Sequence, residues 1–317
     1  MGNVVKKLFF AITGLSLVII VSSCSITRKH KTAVKVLTTD YCDQKLQDEQ
    51  QPSYHSADSL SMVATLLAGT LSEEEIKLAN ALGILNLLRE QFTLKQKKVN
   101  TERINYLSLE TQNRIIYATG IVDGLAATIH CESERCGRLS DYLDGISKKR
   151  INKLTIGAIL GGTISGLAPL IVKNQGTQNA LVIAGSAISA GLGILALTNA
   201  GKTVEFTYDK NFLADVWYNP NSSTVYPKFV WLMLKAPGSG SLDPQTSVAA
   251  GLRKRWLMLE FNNSLDDHLK ELLFGDARFF KEDELLTRQV LLNQLSTEIR
   301  LLNNYLIKFS QKLKAYQ

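Results

Sequence analysis

In residues 285–316, LLTRQVLLNQLSTEIRLLNNYLIKFSQKLKAY, apolar side chains return at Leu292, Leu295, Ile299, Leu302, Leu306, Phe309, Leu313 and Tyr316. Spacing by three and four keeps them on one stripe of an α-helix, whereas strand residues alternate every two. Leu285 extends the stripe and Arg288 interrupts it. A stripe this narrow is not stable alone in water, so it must be buried against another helix, within the chain or on a partner.

The first candidate partner lies upstream. No proline occurs between Pro52 and Pro169, and Ser72-Glu73-Glu74-Glu75 places a capping hydroxyl before acids suited to a first helical turn. Steps of four and three from Ala81 reach Leu85, Leu88, Phe92, Val99, Tyr106, Leu109 and Ile116, with Lys95, Glu102 and Asn113 as polar interruptions. The pattern predicts one long helix over 74–129 with an imperfect coiled-coil seam.

Between the two seams, Thr203 to Tyr208 alternates apolar and polar residues, and Asn219-Pro220-Asn221-Ser222 reads as a turn before Thr224 to Leu234. These segments predict a small antiparallel sheet, with Pro227 placing its strand at an edge. Gly238-Ser239-Gly240-Ser241, between Pro237 and Pro244, reads as a flexible connection.

Leu154–Val172 and Ala180–Thr198 are uncharged stretches joined by the polar segment 173–179, and each is long enough to match the core of a bilayer. Gly157, Gly161, Gly162 and Gly166 in the first, and Gly185, Gly191 and Gly193 in the second, permit close approach of helix backbones. Lys148, Lys149, Arg150 and Lys153 precede this helical hairpin, and Tyr208, Trp217 and Tyr218 follow it, as at membrane interfaces. A hairpin buried inside a helical domain is the other reading.

The chain begins with Lys6 and Lys7, an uncharged run from Leu8 to Val21, and then Ser22-Ser23-Cys24. That order is a secretory signal rather than a fold element, and an uncleaved N-terminal membrane helix is the other reading. Val21-Ser22-Ser23-Cys24 resembles the bacterial lipobox, and the resemblance implies cleavage before Cys24 and acylation of its sulfur. In that family an aspartate directly after the cysteine commonly retains the protein in the inner membrane, so with Ser25 there the resemblance implies the outer membrane, in a cell that has one. The basic run Arg28-Lys29-His30-Lys31 then lies beside the anchor, where anionic headgroups would attract it.

The segments expected are a signal peptide 1–23, a lipid-anchored tether 24–55, a long helical region 56–153, the apolar hairpin 154–199, a small β and loop insertion 200–246, and a C-terminal helical region 247–317. The fold class is therefore mainly α, with long helices, coiled-coil seams, a Gly-rich hairpin and a small antiparallel β insertion.

With Cys24 acylated, an odd set remains, Cys42, Cys131 and Cys136. Cys131 and Cys136 are expected to pair through a closed loop containing Glu132-Ser133-Glu134-Arg135. In a continuous helix they would sit roughly 8 Å apart on different faces, so the pairing requires the chain to leave the helix there. Zinc at these cysteines with His130 lacks an evident fourth ligand, and no metal or cofactor is expected.

No catalytic motif of the H-E-x-x-H, G-x-S-x-G or P-loop type occurs. Asp266-Asp267-His268 falls on the polar side of the run Leu265, Leu269, Leu272 and Leu273, and reads as surface. The rings of Phe206, Tyr208, Phe212, Trp217, Tyr218, Tyr226, Phe229 and Trp231 read as the core of the small sheet. The formal charge of +7 is spread along an exported chain, which argues against nucleic acid as a partner.

These features lead to the expectation of a noncatalytic envelope lipoprotein, a structural or assembly subunit in contact with membrane lipid and with an envelope protein or a second copy of itself. Long helices flanking a Gly-rich apolar hairpin also resemble, in outline, the helical pore-forming toxins. That likeness implies the alternative, a membrane-perturbing protein that inserts its hairpin. A hydrolase of envelope polymers would need a polar cleft the sequence does not display.

Overall fold

A computed structural model describes residues 35, 38–39, 41–42, 67, 69–98, 100–171, 182, 186, 189, 203–237 and 246–315. Cys24, the signal segment 1–23, the Gly238 to Ser241 loop, and Gly185, Gly191 and Gly193 lie outside the described residues. Among the described residues the chain is mainly helical with one two-stranded antiparallel sheet. Contacts divide it into two compact units, one of 1–40, 138–207 and 278–282, the other of 41–137, 208–277 and 283–317.

The second unit opens with helix α1, Glu73–Ala81. The Ser72 hydroxyl accepts from the Glu75 N–H while the Glu75 carboxylate accepts from the Ser72 N–H at 2.7 Å, the reciprocal cap that the sequence suggests. The chain then departs from the expected single helix over 74–129. Gly83 adopts φ 69° and ends α1, so α2, Leu85–Gln96, starts afresh. Lys98 and Asn100 are also left-handed, with φ 52° and 59°, and α3, Thr101–Ile171, begins beyond them. Asn100 Oδ1 accepts from the Arg103 N–H at 3.0 Å, so the residue that interrupts one helix caps the next.

The C-terminal helix α8, Glu282–Ala315, buries the stripe read from the sequence, from Leu285 through Leu292, Leu295, Ile299, Leu302, Leu306 and Phe309 to Leu313. It runs antiparallel to α3. Ser296 Oγ donates to Ala126 O at 3.0 Å, and Ser133 Oγ donates to Gln289 O at 2.8 Å, so partners rise along one helix and fall along the other.

The α3 face that is buried is not the one expected. Leu107, Thr111, Ile115, Ala118, Val122, Leu125 and Ile129 are buried, whereas Tyr106, Leu109 and Ile116 point to solvent. Both stripes have three-four spacing, and the longer apolar series wins the core. Gly120 is exposed in mid-helix and a Cβ there would meet nothing within 4 Å, so its cost of about 1 kcal/mol relative to Ala is not offset by packing within the chain.

Between α3 and α8 come α4, Phe212–Tyr218, α5, Lys228–Lys235, α6, Val248–Arg255, and α7, Asp267–Phe274. The predicted strand Thr224–Leu234 is corrected here: Pro227 takes the N-cap position of α5, where its missing N–H costs nothing. Phe229, Val230, Trp231, Met233 and Leu234 are all buried, so surroundings override the strand preference of the branched and aromatic residues. The expected sheet-core aromatics pack instead mainly between helices. Tyr226 stacks on Trp231 at 5.6 Å, and Trp217 on Phe274 at 4.3 Å.

In the first unit, strand β1, Val204–Glu205, pairs with β2, Phe279–Phe280, in the register Val204 to Phe280. Phe206 meets Phe280 edge to face at 6.1 Å, and Ser140 Oγ donates to Glu282 O at 2.9 Å.

Candidate functional site

The C-terminal part of α3 carries most of the first uncharged stretch, and Gly157, Gly161, Gly162 and Gly166 lie within that helix. At its entrance, where the chain turns uncharged, Ile156 and Ile159 are 58% and 63% exposed. Ala158, between them, accepts a hydrogen bond at its carbonyl from Ser189 Oγ at 2.9 Å. Just before the entrance, Lys148 pairs with Asp144 at 2.6 Å, which raises the lysine pKa through that hydrogen bond and charge, while Lys149 and Lys153 are exposed. Among the described residues, no helix is long and apolar enough to cross a membrane.

A second cluster lies in the interior of the other unit. Arg288, the residue that breaks the α8 stripe, is fully buried and donates through Nη2 to Glu132 Oε1 at 2.6 Å. Its Nη1 donates to Leu273 O at 3.2 Å, and its guanidinium lies 4.0 Å from the centre of the Tyr208 ring. Tyr208 is held in turn by donating its hydroxyl to Ala277 O at 3.1 Å. A charge so enclosed is tolerated only because a carboxylate, carbonyls and a ring face surround it. Burial lowers the Arg288 pKa, but Glu132, Cys136 and Tyr208 together outweigh it and leave the guanidinium more firmly charged.

The cysteines are arranged differently from the expectation. Cys42 is bonded to Cys131, with their Cα atoms 5.7 Å apart, and Cys136 is a free, buried thiol. The predicted Cys131–Cys136 bridge fails because α3 stays helical through both positions, which leaves them on different faces. Burial pushes the Cys136 thiol up to about 12, a shift opposed by Arg288 and augmented by Glu132. It is therefore a poor nucleophile.

The remaining candidates are structural. Asp266 caps α7 by accepting from the Leu269 N–H at 2.9 Å, and Asp267 and His268 are exposed beside it. His130 faces Asn293 at 3.1 Å on the α3–α8 seam. Among the described residues, no three His, Cys, Asp or Glu side chains cluster as metal ligands. No protein-family model, no curated protein and no solved structure matches this chain.

Proposed function

We propose that this chain is an exported, noncatalytic envelope protein, tethered through acylated Cys24 to the outer membrane, that contacts lipid through its Gly-rich hairpin as a structural or assembly subunit. The observation that carries the reading is the exposure of Ile156 and Ile159 on either side of Ala158, whose carbonyl accepts from Ser189 Oγ. A hairpin serving as an ordinary internal core would cover such side chains, and leaving the exposed part of each in water forfeits roughly 1–2 kcal/mol of burial free energy per residue. The Cys42–Cys131 disulfide supports export, since such bonds persist in oxidising compartments.

The test uses Ile159→Cys in the full chain in intact cells. The native disulfide and the buried Cys136 leave little competing thiol reactivity among the described residues. Position 159 is expected to resist a water-confined maleimide until detergent is added. Equal labelling before and after detergent refutes lipid contact. The pore-forming alternative is separated by adding the purified protein to dye-loaded vesicles: an assembly subunit leaves them intact, and release of the dye favours the alternative.

A further inference from the structure

We propose that the outward face of α3 is a docking surface for a second copy of this chain, paired antiparallel about Asn113. The argument starts from the two stripes of α3. One, from Leu107 to Ile129, is buried within the chain, and its opposite runs at the same three-four spacing through Tyr106, Leu109, Asn113, Ile116 and Gly120. Tyr106, Leu109 and Ile116 are 56%, 58% and 67% exposed. Apolar residues repeated every three and four positions are what a helix presents to another helix, and here the stripe stays more than half exposed even with the Arg103 guanidinium 5.1 Å from the Tyr106 ring.

The distribution of bulk along the stripe identifies the occupant. Tyr106 and Leu109 stand on one side of Asn113, Ile116 and then Gly120 on the other, and the space beside Gly120 is open. Parallel copies would set ring on ring at one end and glycine on glycine at the other. Antiparallel copies set Tyr106 of one over Gly120 of the next, so large meets small at both ends, and a two-fold axis makes the two contacts identical. Asn113 then lies opposite itself on the axis. Its amide carries both donors and an acceptor, so two such groups satisfy each other, and a polar residue at one seam position fixes register.

The area also decides the strength. With the adjacent Tyr117, also exposed, the stripe offers on the order of 400 Å² of apolar surface per copy. A stable interface takes about 800 Å² from each partner, so the pairing is weak in dilute solution and favoured where copies are concentrated. The inference does not depend on the hairpin reading, since every residue it uses belongs to the other unit.

The experiment is disulfide trapping in the full-length protein under mild oxidation. Asn113→Cys is expected to give a covalent dimer, and a mixture of Tyr106→Cys with Gly120→Cys chains roughly tenfold more dimer than either alone. Ile116→Glu added to Asn113→Cys is expected to remove the product while leaving the helical circular dichroism unchanged, since position 116 touches water in the single copy. Self-trapping of Tyr106→Cys as efficient as that of Asn113→Cys overturns the antiparallel pairing. Absence of any dimer with Asn113→Cys, or its persistence with Ile116→Glu, overturns the surface itself, and capture of a different protein at position 113 in cells overturns the choice of a second copy.

Discussion

Removal of the Cys42–Cys131 bond by replacing both cysteines with alanine lowers stability by an amount the loop size sets. The bond spans 89 residues. Loop-closure entropy for a loop of that size corresponds to about 4.6 kcal/mol at 25 °C, whereas a loop of five residues, as a Cys131–Cys136 bridge would close, corresponds to about 2 kcal/mol. Urea unfolding followed by circular dichroism converts this difference into a midpoint. With a slope of about 3 kcal/mol per molar, the double replacement moves the midpoint down by about 1.5 M, and a reductant acting on the native chain does the same. Cys136 stays protected from alkylation in the folded chain, because its thiol is buried and held up to about 12. A midpoint shift under about 0.7 M, the value the short loop gives, refutes the long-loop reasoning, as does peptide mapping that finds Cys131 joined to Cys136.

Three further outcomes follow from individual contacts. Glu132→Gln leaves Arg288 buried without its counter-charge and costs about 3–5 kcal/mol in urea unfolding, while the double variant Glu132→Leu with Arg288→Met recovers most of that loss; equal instability of single and double variants contradicts this. Burial raises the Glu75 carboxyl, but Lys312 at 2.5 Å and the Ser72 cap outweigh it and hold the pKa below the ordinary carboxylate value. The stability this contributes is full above the unfolded carboxylate pKa and is lost as pH falls through the lower folded one. Lys312→Met therefore costs up to about 1 kcal/mol at pH 7 and flattens the acid side of a stability-against-pH curve, which an unchanged curve would disprove. Gly120→Ala raises the stability of the single copy by about 0.5–1 kcal/mol, measured by thermal unfolding, because the helix gains a better former where no atom stands in the way.

The sequence makes some of this architecture plain and conceals the rest for identifiable reasons. The α8 stripe is unambiguous because one face alone carries the repeat, and the Ser72 cap is a local pattern whose partner sits three residues away. On α3 two stripes compete at one spacing, and the seam traced forward from Ala81 leads onto the shorter of them. Leu107, Thr111 and Ile115 go inside although Thr111 is polar, while Tyr106, Leu109 and Ile116 stay out. The breaks at Gly83 and at Lys98 to Asn100 were hidden because a glycine or an asparagine in a helical run is tolerated as often as it ends one. The partner of Cys131 is a matter of tertiary placement: 89 residues separate the pair, and no sequence spacing encodes that distance. For the hairpin, the glycine spacing was legible, and the exposure of Ile156 and Ile159 was not, since periodicity is silent on whether an apolar helix faces protein or lipid.

Arg288 illustrates how an apparent flaw in a pattern becomes informative. Read along α8 it is a defect in a row of leucines and isoleucine, and a row of that kind is poor at choosing its own register. Sliding α8 by seven residues along α3 would still set apolar side chains against apolar side chains. It would also bring Arg288 level with Leu125 instead of Glu132, leaving a guanidinium and a carboxylate buried apart, which costs more than the slip returns. The hydrogen bonds of Ser296 to Ala126 O and Ser133 to Gln289 O break in the same slip. The leucines thus supply the free energy of the α3–α8 contact, and the polar residues that interrupt both stripes supply its alignment. A slip of seven residues turns a helix by only about 20°, so the polar pair sets how far along α3 the helix α8 lies, while the exposure of Tyr106, Leu109 and Ile116 follows from the burial of the opposite stripe, Leu107 to Ile129.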